Sequence, residues 1–143
     1  MSKVTTYSFA DVSFVFSHPK VGKFTFTGEG VGSISISRAN DMTQHDVAAD
    51  GSTMISKIVT ENGTIAIALQ QTSAGHKFLK KWLAYVTSAP TNQWARASAT
   101  LKHPALGEII NMSGISPQKR ADAAFQSAGQ QVTWNLMAAK ITG

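Results

Sequence analysis

The sequence predicts a mostly-β domain: two packed antiparallel sheets, a β-sandwich or squat barrel, with one flanking α-helix. Three observations lead there. Short segments of alternating apolar and polar residues recur along the chain, glycine, proline and asparagine clusters punctuate them, and only one segment has a helical period. A length of 143 residues is enough for one core and too short for two ordinary ones, so the domain spans residues 1–143.

Taken in order, residues 7–16 (YSFADVSFVF) have the β-branched and aromatic content of a strand, interrupted by His18-Pro19-Lys20. Phe24 and Phe26 alternate with Lys23, Thr25 and Thr27, Gly28-Glu29-Gly30 reads as a turn, and Ile34 and Ile36 alternate with serines. Together these predict a long hairpin over residues 20–38. Residues 39–52 (ANDMTQHDVAADGS) have no period and predict an extended loop ending in an Asp50-Gly51 turn. Residues 53–60 are strand-like. Asn62-Gly63 then offers the two positive-φ positions of a type I′ turn, with Ile65, Ile67 and Leu69 on the returning strand. Thr72 or Ser73 can cap a helix starting near Ala74 and ending before Pro90. Phe78, Leu79, Trp82, Leu83 and Val86 share one face of it, and Lys77, Lys80 and Lys81 the other. Residues 95–102 predict a strand, His103-Pro104 and Gly107 a turn, and residues 108–112 a short strand. Ser116-Pro117 predicts the opening of a short helix through Phe125, with proline at its first position. Residues 131–141 close the chain as a strand with Val132, Trp134 and Leu136 on one face. Phe78, Trp82, Leu83 and Trp134 are the expected core anchors.

Composition narrows the function. Hydrophobic residues make up 43%, which predicts a folded chain. Charged residues are only 15%, against roughly 25% in an ordinary domain, so the surface is largely small and neutral. Such a surface is cheap to bury against another protein because few charges are desolvated. The net charge of +5 favours acidic partners or polyanions. With no cysteine, disulfides and thiolate chemistry are excluded, and a reducing cytoplasm suits the chain. No apolar run approaches the roughly 18 residues of a membrane span, and the first residues lack the apolar stretch of a secretory signal, so no membrane association is expected.

Chemistry-bearing patterns are weak. Gly28-Glu29-Gly30-Val31-Gly32 resembles a phosphate loop but precedes a β-alternating run, not a helix. The four histidines share no metal-ligand spacing, and His45, Asp46 and Asp50 supply too few carboxylates for a calcium loop. No serine sits in a nucleophile elbow. Asn62-Gly63-Thr64 matches a glycosylation acceptor that the turn reading already explains. No catalytic residue, cofactor or metal is expected, and the chain is read as a non-enzymatic subunit that assembles with copies of itself. Lys77, Lys80 and Lys81, at i, i+3 and i+4, make a compact positive patch suited to an acidic partner. Nucleic-acid binding would want exposed aromatics among them, whereas Phe78 and Trp82 face the expected core.

Three segments resemble one family. They are residues 45–52 (HDVAADGS) with Met54 and Ser56-Lys57; Gln70-Gln71-Thr72-Ser73 leading into the helix; and residues 114–119 (GISPQK) with residues 129–134 (GQQVTW). In this order they resemble the tail-tube structural protein of contractile-tailed bacteriophages, over residues 7–141. The resemblance implies two packed sheets with a flanking helix, six subunits per ring, inner sheets joined into one barrel around a lumen, and rings stacked into a tube. It also implies partners: a contractile sheath, baseplate and tail-terminator proteins, and DNA crossing the lumen without specific binding. The place implied is the virion tail, assembled in the host bacterial cytoplasm. Tube lumens of this class are often acidic, whereas this chain is basic.

On that resemblance, residues 7–38 and 53–69 are expected to line the lumen. His45, Asp46, Asp50, Met54 and Lys57 are expected at the subunit or ring interface, and Lys77, Lys80 and Lys81 to face the sheath. The alternative from another class is a monomeric, basic, nucleic-acid-binding β-barrel using the net charge directly.

Overall fold

The chain is described from a computed structural model covering residues 11–27, 30–103, 106–119, 128–129 and 131–143. Its elements run β1 (Ser13–His18), β2 (Gly22–Phe26), β3 (Val31–Arg38), β4 (Thr43–Val47), β5 (Thr53–Lys57), β6 (Gly63–Gln70), α1 (Ala74–Ser88), β7 (Ala97–His103), β8 (Glu108–Lys119) and β9 (Gln131–Thr142). A single 3₁₀ turn, Thr91–Gln93, follows the helix.

Seven strands form one antiparallel sheet in the order β2-β1-β7-β8-β9-β6-β3, and β4 and β5 form a separate two-stranded sheet. The large sheet curls, for α1 packs on both β2 and β6, which belong to opposite flanks of the strand order. Near the start of the helix the two edges converge: Phe24 and Phe26 of β2, Val31 of β3 and Gly75 of α1 line one cavity of about 290 Å³. The expected mostly-β architecture with one helix is present, its seven large strands linked in a single unbroken sheet.

Alternation builds the core. Phe14 and Phe16 of β1, Ile65, Ile67 and Leu69 of β6, and Val132, Trp134 and Leu136 of β9 are all buried. Inside the curl they meet Leu79, Trp82, Leu83 and Val86 from the helix. The indole of Trp82 stands edge-on to Phe16, with ring centroids 5.1 Å apart, and Phe78 stacks on Phe24 at 5.3 Å. Ser73 caps α1 as expected, its hydroxyl accepting the His76 N–H.

Four local expectations fail. Residues 20–38 do not form a hairpin. β2 pairs with β1 across the His18-Pro19-Lys20 turn, while β3 crosses to the other edge and pairs with β6. Both strands alternate equally well, and alternation does not name a partner. Asn62-Gly63 is not a type I′ turn. No non-glycine residue has a positive φ among the described residues, and Gly63 lacks one too. Gly63 instead begins β6, where a Cβ would collide with the Ser37 carbonyl oxygen and sit 2.6 Å from Ile141 Cδ1. Close approach, not turn geometry, requires glycine there.

The predicted loop at 39–52 contains β4, which pairs with β5. Its Asp50-Gly51 turn is present, with Gly51 at φ +89° and the Asp50 carboxylate accepting both the Ser52 N–H and hydroxyl. Finally, Ser116-Pro117 does not open a helix. Residues 116–119 continue β8, and Pro117 sits where the β8–β9 register shifts, the place a strand tolerates proline. The rest of that predicted helix, residues 120–125, lies outside the described residues, as do residues 7–10 of the first predicted strand and Gly28-Glu29 of the predicted turn.

Candidate assembly interface

β4 and β5 form an arm that stands off the body. Every residue from Ser37 to Lys57 is exposed, and the two strands pack mainly on each other. The arm is anchored where the Ala39 N–H donates to the Asn62 carbonyl (3.1 Å) and closed where the Ile58 N–H donates to that of Met42 (3.0 Å). An isolated two-stranded hairpin is marginally stable in water.

Five large apolar side chains on and beside it face solvent: Met42, Val47, Met54, Ile55 and Val59, each more than 60% exposed. The register assigns its faces. Thr43, His45 and Val47 lie opposite Lys57, Ile55 and Thr53, whereas Gln44 and Asp46 lie opposite Ser56 and Met54. The residues expected at the interface therefore all lie on the arm but do not share one surface. His45 and Lys57 take one face, Asp46 and Met54 the other, and Asp50 the tip. Met42 and Val47 escaped the sequence reading because no period marks residues 39–52 as a strand, and apolar residues scattered through a supposed loop were the available signal; Ile55 and Val59 lie in the segment read as a strand, 53–60, but nothing in it marked them as exposed. Hydrogen bonds from Ser52 hold the Asp50 carboxyl below its ordinary range, so it stays charged.

The helix presents a second surface. Lys77, Lys80 and Lys81 are exposed, and the helix carries no acidic residue. Of the expected core anchors, Trp82, Leu83 and Trp134 are buried and Phe78 is half-buried against the core. The indole N–H of Trp134 donates to His76 Nδ1 at 3.0 Å. Burial first, and the Lys80 charge second, lower the His76 pKa from its ordinary 6.5.

The remaining surfaces are the sheet's own. β2 and β3 are its edges, with backbone groups available to a further strand. On the outward side of β3, β6 and β9, three rows run across the strands: Ser33–Ala68–Thr133, Ser35–Ala66–Asn135 and Ser37–Thr64–Met137. These nine positions carry no charge. Among the described residues, no three His, Asp or Glu side chains cluster as a metal site would need, and no helix is long and apolar enough to cross a membrane.

A chain in the cryo-EM structure of the anti-feeding prophage tube-terminating cap shares this fold, with a TM-score of 0.60 at 12% identity over 99% of this chain and 92% of that one. A chain of the PVC extracellular contractile injection system sheath–tube complex, in its extended state, gives 0.56 at 16% identity over 90% and 86%. One from the PVC sheath/tube terminator gives 0.51 at 15% over 99% and 96%. A search of curated proteins finds no match. The family model described as Bacteriophage PhiTE tail tube protein matches residues 4–143, nearly the whole chain, and the protein belongs to that tail-tube family.

Proposed function

We propose that this chain is the building block of a tail tube: subunits close into hexameric rings, the rings stack, and the tube lies inside a contractile sheath as a conduit for DNA ejection. The observation that carries the reading is the match to a tail-tube family over residues 4–143. The folds it resembles come from a sheath–tube complex, tube caps and terminators, and a baseplate, which supports the sheath, terminator and baseplate as partners. The particle is then a virion tail or a related injection machine assembled in the host cytoplasm, and the subunit's work is mechanical, not catalytic.

Physical features suit this work. The two edges, β2 and β3, are a liability in a monomer and an asset in a ring that pairs them. The exposed arm needs a neighbour, and its residues His45, Asp46, Asp50, Met54 and Lys57 form the subunit or ring interface. The uncharged rows of β3, β6 and β9 make a wall to which a polyanion does not adhere. The lumen strands are then β3 and β6, from the expected segments 7–38 and 53–69, joined by β9. β1 and β2 lie on the opposite flank of the strand order.

Negative-stain electron microscopy of the purified protein tests the reading. Rings or tubes of uniform width support it. Monodisperse 15.2 kDa monomers that shift DNA in a gel would replace it with a nucleic-acid-binding β-barrel.

A further inference from the structure

The arm and the lysine face lie at opposite ends of β6. The arm leaves from the Gly63 end, where Ala39 bonds to Asn62. The helix starts at the Gln70 end, where the Ser73 N–H donates to the Gln70 carbonyl (3.0 Å). Eight strand residues separate the ends by about 25 Å, and the arm makes no substantial contact with the body, so the two surfaces of one subunit do not meet.

Their charges are complementary. Between residues 39 and 56 the arm has no lysine or arginine, while Asp41, Asp46 and Asp50 are all exposed. Arg38, at its base, is occupied by the Ile141 carbonyl at 2.7 Å. Lys57, at the other base, is far from the tip.

The first turn of α1 carries no acidic residue, and Lys77 follows in its N-terminal half. That is the reverse of what the helix dipole favours, since the N-terminal end is already positive. His76 adds no compensating negative charge. The positive potential at this end is unrelieved by any residue of the helix, and an incoming carboxylate cluster relieves it.

We propose that the arm's Asp46–Met54 face and its Asp50 tip dock on Lys77, Lys80 and Lys81 of a second copy of this chain. This rests on the tube reading and names the arm's partner. Met54 shares a face with Asp46, so it lies along the apolar stems of the lysines while the carboxylates meet the ammonium groups. Because donor and acceptor surfaces sit at opposite ends of one subunit, the contact is heterologous. Repeated head to tail, such a contact closes into a ring or runs on as an open stack, and surfaces at opposite ends of one subunit suit the stack from ring to ring. The lysines then serve the tube itself, not the sheath.

Charge reversal tests the contact. Lys77→Glu/Lys80→Glu/Lys81→Glu and, separately, Asp46→Lys/Asp50→Lys should each raise the concentration needed for stacking by about 10-fold or more, since several screened pairs become repulsive. Combining all five substitutions in one chain should restore stacking, as should mixing the two variants. Circular dichroism confirms that each variant is folded. If the lysine variant stacks normally, the proposal falls and a sheath contact takes its place. If the combined chain fails to recover, the proposal also falls.

A second measurement does not depend on tubes. The chain has no cysteine, so Asp50→Cys and Lys81→Cys proteins can be mixed with a short bis-maleimide. Cross-linked heterodimer well above that of an Asp50→Cys/Thr100→Cys mixture supports the contact, and equal yields overturn it. If wild-type protein forms no rings while the Asp50→Cys and Lys81→Cys mixture still cross-links, the tube reading falls and the arm–helix contact stands.

Discussion

Truncating Trp82 to alanine removes the indole that fastens α1 to the sheet. Trp82 is fully buried, edge-on to Phe16, and on the same helix face as Leu79, Leu83 and Val86. Losing a buried indole costs about 3–5 kcal/mol, through lost transfer energy and the cavity left behind. Domains are stable by about 5–15 kcal/mol, so the variant should lose a large share of its folding free energy. Among the described residues the Trp82 indole N–H is buried with no hydrogen-bond partner. An unsatisfied donor costs about 1–3 kcal/mol on its own, so Trp82→Phe removes that penalty while keeping most of the ring. The two substitutions should therefore separate: Trp82→Ala falls by about 3–5 kcal/mol, and Trp82→Phe stays within about 1.5 kcal/mol of wild type. Urea unfolding followed by far-ultraviolet circular dichroism, under conditions that keep the subunit unassembled, measures both. A Trp82→Ala protein as stable as wild type would show that the helix is held elsewhere. A Trp82→Phe protein as damaged as Trp82→Ala would show that the N–H has a partner.

Gly63→Ala should destabilise by about 1–3 kcal/mol, because the added methyl meets the Ser37 carbonyl and Ile141; a neutral result in the same unfolding assay would contradict the β3–β6 register at that end. His76 predicts an acid-sensitive term. Its pKa is lowered in the folded chain, so the unfolded chain binds more protons between the folded value and 6.5. The stability it contributes is present above 6.5 and is lost as pH falls through the folded value. His76→Asn, whose amide oxygen can still accept the Trp134 N–H, should flatten that slope in pH-dependent denaturation; an unchanged slope would assign the term elsewhere. Amide hydrogen exchange over residues 39–57 should be fast in the free subunit and slowed in assembled tubes, and equal protection in both would count against an interface role for the arm.

Periodicity made much of the core legible before any coordinates. Ile65, Ile67 and Leu69, then Val132, Trp134 and Leu136, alternate because one side of each strand is buried and the other is not. The helical stripe of α1 and its Ser73 cap were readable for the same local reason. The arm was legible only in part: residues 53–60 read as a strand and contain β5, but β4 fell in a predicted loop, since all its residues are exposed and, with no buried face, nothing selects apolar residues at every second position. Turn propensity misled at Asn62-Gly63 because glycine serves two needs, a positive φ and a close approach, and the sequence does not distinguish them. Pro117 misled similarly, being as acceptable at a register shift as at a helix start.

The sequence by itself determined the burial faces of the strands, the single helix, the segregation of its lysines, the absence of thiol chemistry, and a neutral surface suited to assembly. Those properties are local, set by the side chains of a few consecutive residues. Only the tertiary structure decided which strands are neighbours. β2 and β3, consecutive in the chain, end at opposite edges of the sheet, and the arm and lysine face end at opposite ends of β6. The reason is physical: a strand's hydrogen-bonding groups are the same whatever its sequence, so its partner is selected by packing across the core.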